Sequence, residues 1–208
     1  MPTNQPIALS RRERNKYETR QRLLSAARTL FAEKGVTGTT IDDIAEMADV
    51  SRATFFNYFQ TKDSLVSALH DGHMQKLAVL IDGLLEQDLT TVERVRLVFE
   101  DVTDATRRFR IYLRGVTGEL ERDLASNQIS HERTEQFNDQ ILRVLEPGIG
   151  AGEVRTDFPA EFLAQTVAAV YISSVRYWHQ DSDYDITEGF DTTMRFIAES
   201  IEARGANS

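Results

Sequence analysis

The sequence predicts an all-α protein: an N-terminal three-helix head carrying a helix-turn-helix, followed by a helical bundle, about nine helices in all. Three observations point there. Apolar residues recur at spacings of three and four almost throughout the 208 residues, as on one face of a helix. Runs of β-branched residues bounded by turn residues, the mark of strands, are scarce. Ser or Thr repeatedly stands just ahead of an amphipathic stretch, where its hydroxyl can cap the free amides of a helix start.

Taken in order, the first ten or so residues are polar and contain proline, and predict an arm. Tyr17 to Lys34 carries Leu23, Leu24, Ala27, Leu30 and Phe31 on one stripe and stops at Gly35, a good residue to follow a helix. A second helix starts after Thr40, with Asp43 at the third position to complete a capping box, and buries Ile41, Ile44, Ala45 and Ala48. Ser51 caps a third, Arg52 to Phe59, and Thr61 caps a fourth running from Lys62 past Leu80. Further amphipathic stretches cover Thr91–Arg108, Ile111–Leu124, Ser130–Leu145, Ala160–His179 and Thr187–Arg204. Breaks are expected at Gly115/Gly118, from Pro147-Gly148 through Gly152, and at the acidic loop Asp181–Asp185. Ala160–His179 is the least polar helix of the body, which makes it either the central helix or one that faces a partner.

Composition bounds the function. The chain has no cysteine, which closes disulfide, zinc-thiolate and cysteine-nucleophile chemistry. No run approaches the roughly 18 apolar residues that span a bilayer, so the expectation is a soluble, cytoplasmic protein that does not engage a membrane. The net charge of −9 would by itself disfavour a nucleic-acid partner, but the charge is divided. Residues 1–64, read as the head, hold 10 Lys/Arg against 8 Asp/Glu, whereas residues 65–208, read as the body, hold 14 against 25. A basic end on an acidic chain is the footprint of a protein that meets phosphate at one end only.

Two short capped helices joined by a tight turn can place the second in the DNA major groove. In that second helix Phe55 and Phe59, four apart, are expected to lock onto the head core, leaving Arg52, Ala53, Phe56 and Asn57 to meet bases. Arg52 can donate to guanine or phosphate, Asn57 can pair with adenine, and Ala53 or Phe56 can touch a thymine methyl. The competing role for Arg52 is a solvated surface charge, and Arg11, Arg12, Arg14 and Lys16 are either an idle tail or a strip that tracks a phosphate backbone or minor groove.

Arg20, Leu23-Leu24, Ala26-Ala27, Leu30-Phe31, Glu33-Lys34-Gly35, Thr39-Thr40-Ile41, Ile44-Ala45, Val50-Ser51, Thr54, Tyr58-Phe59, Lys62 and Leu65 stand in an ordered spacing that resembles the TetR family of bacterial transcriptional regulators. The likeness covers about 45 residues and is more specific than a generic helix-turn-helix; beyond it, Gly152-Glu153-Val154-Arg155 before a helix and Trp178 near that helix's end are similar to the family mainly in architecture. The resemblance implies a homodimeric repressor of an inverted-repeat operator, released by a small-molecule effector; the aromatic side chains of the body suggest that the effector is apolar or aromatic. It also implies phosphate contacts by Thr40, Ser51, Thr54, Tyr58 and Lys62; Thr40, Ser51 and Thr61 could serve purely as helix caps, and Tyr58 purely in packing. Two positions depart from the pattern: Asp49 replaces the usual turn glycine, and Phe56 a common tyrosine.

A helix-turn-helix reads few base pairs, so a second copy at fixed spacing is close to a requirement. By analogy with the family, the last two helices would pair with their symmetry mates, through Ala164, Val167, Ala168 and Tyr171 on one and Phe190, Met194, Ile197 and Ile201 on the other; packing inside the subunit is the competing role. Phe99, Phe109, Tyr112, Phe137, Tyr171, Tyr177 and Trp178 could line an effector cavity or form plain core. The stripe Arg107, Arg108, Arg110 and Arg114 could take an anionic ligand or pair with nearby acids.

An enzyme reading has little support: no strand precedes Gly148–Gly152, and the four histidines are scattered. His70 and His73 are read as solvent-exposed helix residues; no metal and no cofactor is expected. The remaining alternative is a constitutive regulator or helical interaction protein without ligand response. Phe56→Tyr, which restores a hydroxyl able to reach phosphate, should keep or strengthen operator binding in a gel-shift titration; a large loss would contradict this placement of the recognition helix.

Overall fold

The computed structural model describes residues 10–108, 129–181 and 185–203. Among these are eight helices and no strand: α1 (Arg11–Lys34), α2 (Ile41–Met47), α3 (Arg52–Tyr58), α4 (Lys62–Leu85), α5 (Thr91–Arg108), α6 (Ile129–Ala151), α7 (Ala160–Gln180) and α8 (Ile186–Ile201). The helix expected over 111–124 lies outside the described residues, as do Met1–Leu9 of the arm.

Two boundaries differ from the sequence reading for identifiable reasons. α1 begins six residues early because Ser10 forms a full capping box: its hydroxyl accepts from the Glu13 amide at 3.2 Å and its own amide donates to the Glu13 carboxylate at 2.9 Å. Arg11, Arg12, Arg14 and Lys16 therefore project from helical backbone and not from a tail. α6 runs through Pro147 and Gly148 to Ala151. Proline removes one amide from the ladder, but Ile149 packs on the body core, and Gly152, at φ 75°, ends the helix with Glu153 N–H donating to the Gly148 carbonyl at 2.8 Å.

The side chains segregate into two cores. Leu23, Ala27, Phe31, Ile44, Phe55 and Leu65 lead the head core; Ile81, Phe99, Ile141, Leu145, Val167 and Ile197 lead that of the body. α4 belongs to both, with Leu65, Val66 and Leu69 in the first and Ile81 and Leu84 in the second. In the body, α7 packs chiefly against α6 and α8, and α5 lies against α8.

Gly152-Glu153-Val154-Arg155 acts as a clasp. The Glu153 carboxylate accepts from the Thr91 amide at 2.7 Å and the Thr91 hydroxyl at 2.8 Å, closing the N-terminus of α5. These hydrogen bonds, the backbone one foremost, hold the Glu153 carboxyl below its ordinary range. Val154 and Glu202 form an isolated antiparallel bridge, and the Arg155 guanidinium grips Asp157 and stands 4.6 Å from the Phe158 ring centroid. Gly148 makes room for this: a Cβ there would stand 1.8 Å from the Thr91 hydroxyl and 2.9 Å from Val154 Cγ2. Gly148→Ala should therefore destabilise the fold by about 2–3 kcal/mol in chemical denaturation, whereas Gly150→Ala, where the added carbon meets nothing within 4 Å, should not.

Candidate nucleic-acid interface

The turn between α2 and α3 depends on Asp49, at φ 52°. Positive φ is costly for most side chains and tolerated by aspartate, so the position that departs from glycine keeps the conformation glycine would supply. The Ala48 amide donates to the Ile44 carbonyl and the Val50 amide to that of Ala45, each at 3.0 Å, and Val50 folds back onto the head core.

α3 is fixed at its start and along its inner face. The Ser51 hydroxyl accepts from the Thr54 amide at 3.0 Å and meets the Thr54 hydroxyl at 2.8 Å. Phe55 is fully buried and Phe59 nearly so, their ring centroids 5.9 Å apart. Arg20 of α1 places its guanidinium 5.4 Å from the centroid of the Phe59 ring. What remains outward is the expected set: Arg52, Ala53, Phe56 and Asn57 are exposed. A 42% exposed Phe56, held edge-on against Phe55 at 5.6 Å, has little reason to face water unless it meets an apolar surface such as a thymine methyl.

The flanking polar residues divide. Thr40 caps α2 through a reciprocal box with Asp43, whose carboxyl is lowered by the Thr40 amide and then its hydroxyl. Thr61 does the same for α4 with Ser64. The caps leave Thr40 and Ser51 exposed, so capping and phosphate contact are compatible. Tyr58 is half-buried against the head core. Lys62 is already engaged within the head: its ammonium donates to the Val36 carbonyl at 2.8 Å and the Thr39 carbonyl at 3.2 Å, anchoring the α1–α2 loop. That leaves one N–H for any phosphate. Arg52 is also engaged, 2.6 Å from the Asp42 carboxylate and 5.6 Å from the Phe56 centroid. Periodicity carries no signal for that i, i+10 pair, because it forms only when α2 and α3 cross.

In the body, Phe99, Phe137, Tyr171 and Phe190 form one aromatic cluster from α5, α6, α7 and α8. Tyr171 lies 5.0, 5.3 and 5.9 Å from the rings of Phe99, Phe137 and Phe190, and burial pushes its phenol up. Trp178 is buried, but Tyr177 is 61% exposed and does not join the cluster: at one residue's remove from Trp178 it faces the other way on the helix. Phe109, Tyr112, Arg110 and Arg114 lie outside the described residues, as do the side chains of Arg107 and Arg108.

Of the two roles open to the stripes on α7 and α8, a partner face or the subunit's own core, their residues take the second within the protomer. Ala164, Val167, Ala168, Phe190, Met194, Ile197 and Ile201 are all buried inside the protomer's own core, and Tyr171 packs against it. The stronger apolar stripe of each helix went inward, as burial favours. Left outside are Phe162, Ala169, Ile172 and Ser173 on α7 and Phe196 on α8. These are the apolar and small residues that remain once the inner stripe is assigned, which is the sequence signal that could have found them. His70 and His73 are not solvent-exposed; both are partly buried, and His73 lies on the side of α4 that faces α1. Among the described residues no group of three or more His, Asp or Glu could hold a metal ion, and no helix is long and apolar enough to cross a membrane.

A capped recognition helix on a rigid three-helix platform, offering Arg, Asn and exposed Phe to a groove, defines a helix-turn-helix DNA-binding transcriptional regulator. Residues 23–69 match the family described as bacterial regulatory proteins, tetR family. The chain is 26% identical over 165 residues to the transcriptional repressor KstR2 of Rhodococcus jostii, covering 76% of this chain and 79% of that one. It is 24% identical over 196 residues to the putative mycofactocin biosynthesis transcriptional regulator MftR of Mycobacterium tuberculosis, covering 93% and 96%. Among solved structures, the Thermus thermophilus repressor FadR in complex with lauroyl-CoA superposes with a TM-score of 0.72 at 28% identity, over 91% of this chain and 98% of that one.

The Arg52–Asp42 pair implies that DNA competes with Asp42 for the guanidinium. Asp42→Asn should tighten operator binding about threefold or more, by freeing Arg52 and removing a negative charge from the DNA-facing side; weaker binding would show that the pair positions Arg52 for its base.

Proposed function

We propose that the protein is a homodimeric repressor that reads an inverted-repeat operator through two copies of α3 and releases it when a small apolar molecule enters the body. The observation that carries this reading is the outward face of α3, Arg52, Ala53, Phe56 and Asn57, on a helix whose inner face is locked by Phe55 and Phe59. Thr40, Ser51, Thr54, Tyr58 and the spare donor of Lys62 would flank it on the phosphates. The basic first turns of α1 add charge to the same end of the chain, and the acidic body would be held away from the duplex.

For the second copy, the outward stripes of α7 and α8 are the surface of choice. Phe162, Ile172 and Phe196 are 50%, 41% and 54% exposed, and Ala169 and Ser173, four apart on α7, would let a partner helix approach closely. For the effector, the Phe99–Phe137–Tyr171–Phe190 cluster supplies an apolar, polarizable wall. The FadR relative at 28% identity binds lauroyl-CoA, which favours a ligand with an extended apolar part. Its entry would shift the spacing of the two α3 helices by biasing the dimer between two arrangements, a coupling typically of about 1–3 kcal/mol.

Selection from random duplex DNA should enrich one inverted repeat, bound with steep salt dependence; enrichment of no palindrome would end the regulator reading. Ile172→Asp should convert the dimer to monomer in sedimentation analysis and abolish operator binding at submicromolar concentration, while the helical signal is kept. Lauroyl-CoA titrated against a labelled operator tests the effector class, and no release at millimolar concentration would exclude acyl thioesters.

A further inference from the structure

Between α1 and α4, where the head core gives way to that of the body, lies a half-open groove of about 550 Å³. Leu24 and Leu69, both buried, form its floor. Its walls carry an excess of positive charge: Arg20 and Arg28 from α1 and Lys76 from α4, against the single carboxylate of Asp71. In a chain of net charge −9, a concave surface lined by three permanent cations is against the trend, and concavity focuses the field. Gly72 opens the groove further. It stands inside a long helix, where glycine costs about 1 kcal/mol relative to alanine, yet a Cβ there would meet nothing within 4 Å. No close packing requires the glycine, and the space it leaves belongs to the groove.

We infer that this α1–α4 groove is a binding site for a small phosphate-bearing anion, distinct from the effector cavity proposed for the body. Arg28 and Lys76 would supply charge-assisted hydrogen bonds to the phosphate oxygens, Arg20 the long-range attraction from its place over Phe59, and Gln21 and Gln75 neutral donors at the rim. A phosphate monoester carries about two negative charges at neutral pH, matching the excess of the groove, and a diphosphate carries about one more.

His73, on the groove wall, reports on the same field. Burial foremost, and then the neighbouring His70, Lys76 and Arg28, lower its imidazole to about 4. A bound dianion would reverse the charge part of that shift. The charged and titratable groups facing it are Arg20 and Arg28 from α1 and His70, Asp71 and Lys76 from α4.

The test is a titration of the full-length protein with inorganic pyrophosphate, followed by calorimetry and by NMR of the His73 ring, against sodium chloride at matched ionic strength. Saturable binding with a dissociation constant below about 1 mM is expected, together with a rise of about one unit or more in the His73 midpoint. The double variant Arg28→Ala/Lys76→Ala should bind at least about tenfold more weakly, and Gly72→Leu, which fills the open space, should block binding while both variants keep wild-type operator affinity. An equal response to sodium chloride, or undiminished binding by the double variant, overturns the proposal. Because operator binding is measured separately, failure here leaves the regulator reading intact, and loss of that reading leaves the pyrophosphate result to stand by itself.

Discussion

One helix serves two cores. The first turns of α4 contribute Leu65, Val66 and Leu69 to the packing that holds the recognition helix, and its last turns contribute Ile81 and Leu84 to the body. Because protein interiors are packed as densely as organic crystals, neither end of α4 can move without repacking its own core. α4 is thus the helix that the two cores share, and the α1–α4 groove marks where they part.

The head depends on this helix for its precision. Phe55 and Phe59 hold α3 against α1 and α4, and Lys62, at the first turn of α4, ties down the loop that leads into α2. The outward face of α3 is thus set by buried aromatic packing, while Arg52 on it is already paired with Asp42. Two of the three Lys62 N–H groups lean on backbone carbonyls, and a polyanion that takes the Arg52 guanidinium must displace its internal partner. The division of charge between a slightly basic head and a strongly acidic body acts in the same direction.

How much of this was legible in the chain varies with the range of the interaction involved. Caps were legible because they act over three residues: Thr40 with Asp43, Ser51 with Thr54, Thr61 with Ser64. The inward aromatics of α3 were legible for the same reason, whereas the left-handed turn at Asp49 was signalled only by the resemblance, which puts a glycine there. The passage of α6 through Pro147 was not, because the proline penalty is local while the compensation, Ile149 on the body core and the Glu153–Thr91 clasp, comes from residues far away in sequence. Nor was the burial of His73, which depends on α1 crossing α4.

The amphipathic pattern of α7 and α8 shows where sequence reasoning reaches its limit. By itself the sequence determined that the chain is helical, where most helices start, which end carries the excess of basic charge and which residues of α3 face outward, because these follow from spacing, capping and charge within short stretches. Only the tertiary structure decided which of two apolar stripes on α7 and α8 enters the subunit's own core, which charged side chains are already paired, and that a cationic groove opens between α1 and α4. The physical reason is that periodicity marks a face as apolar but cannot name what covers it; that is set by the competition among all the faces of the molecule for the same buried volume.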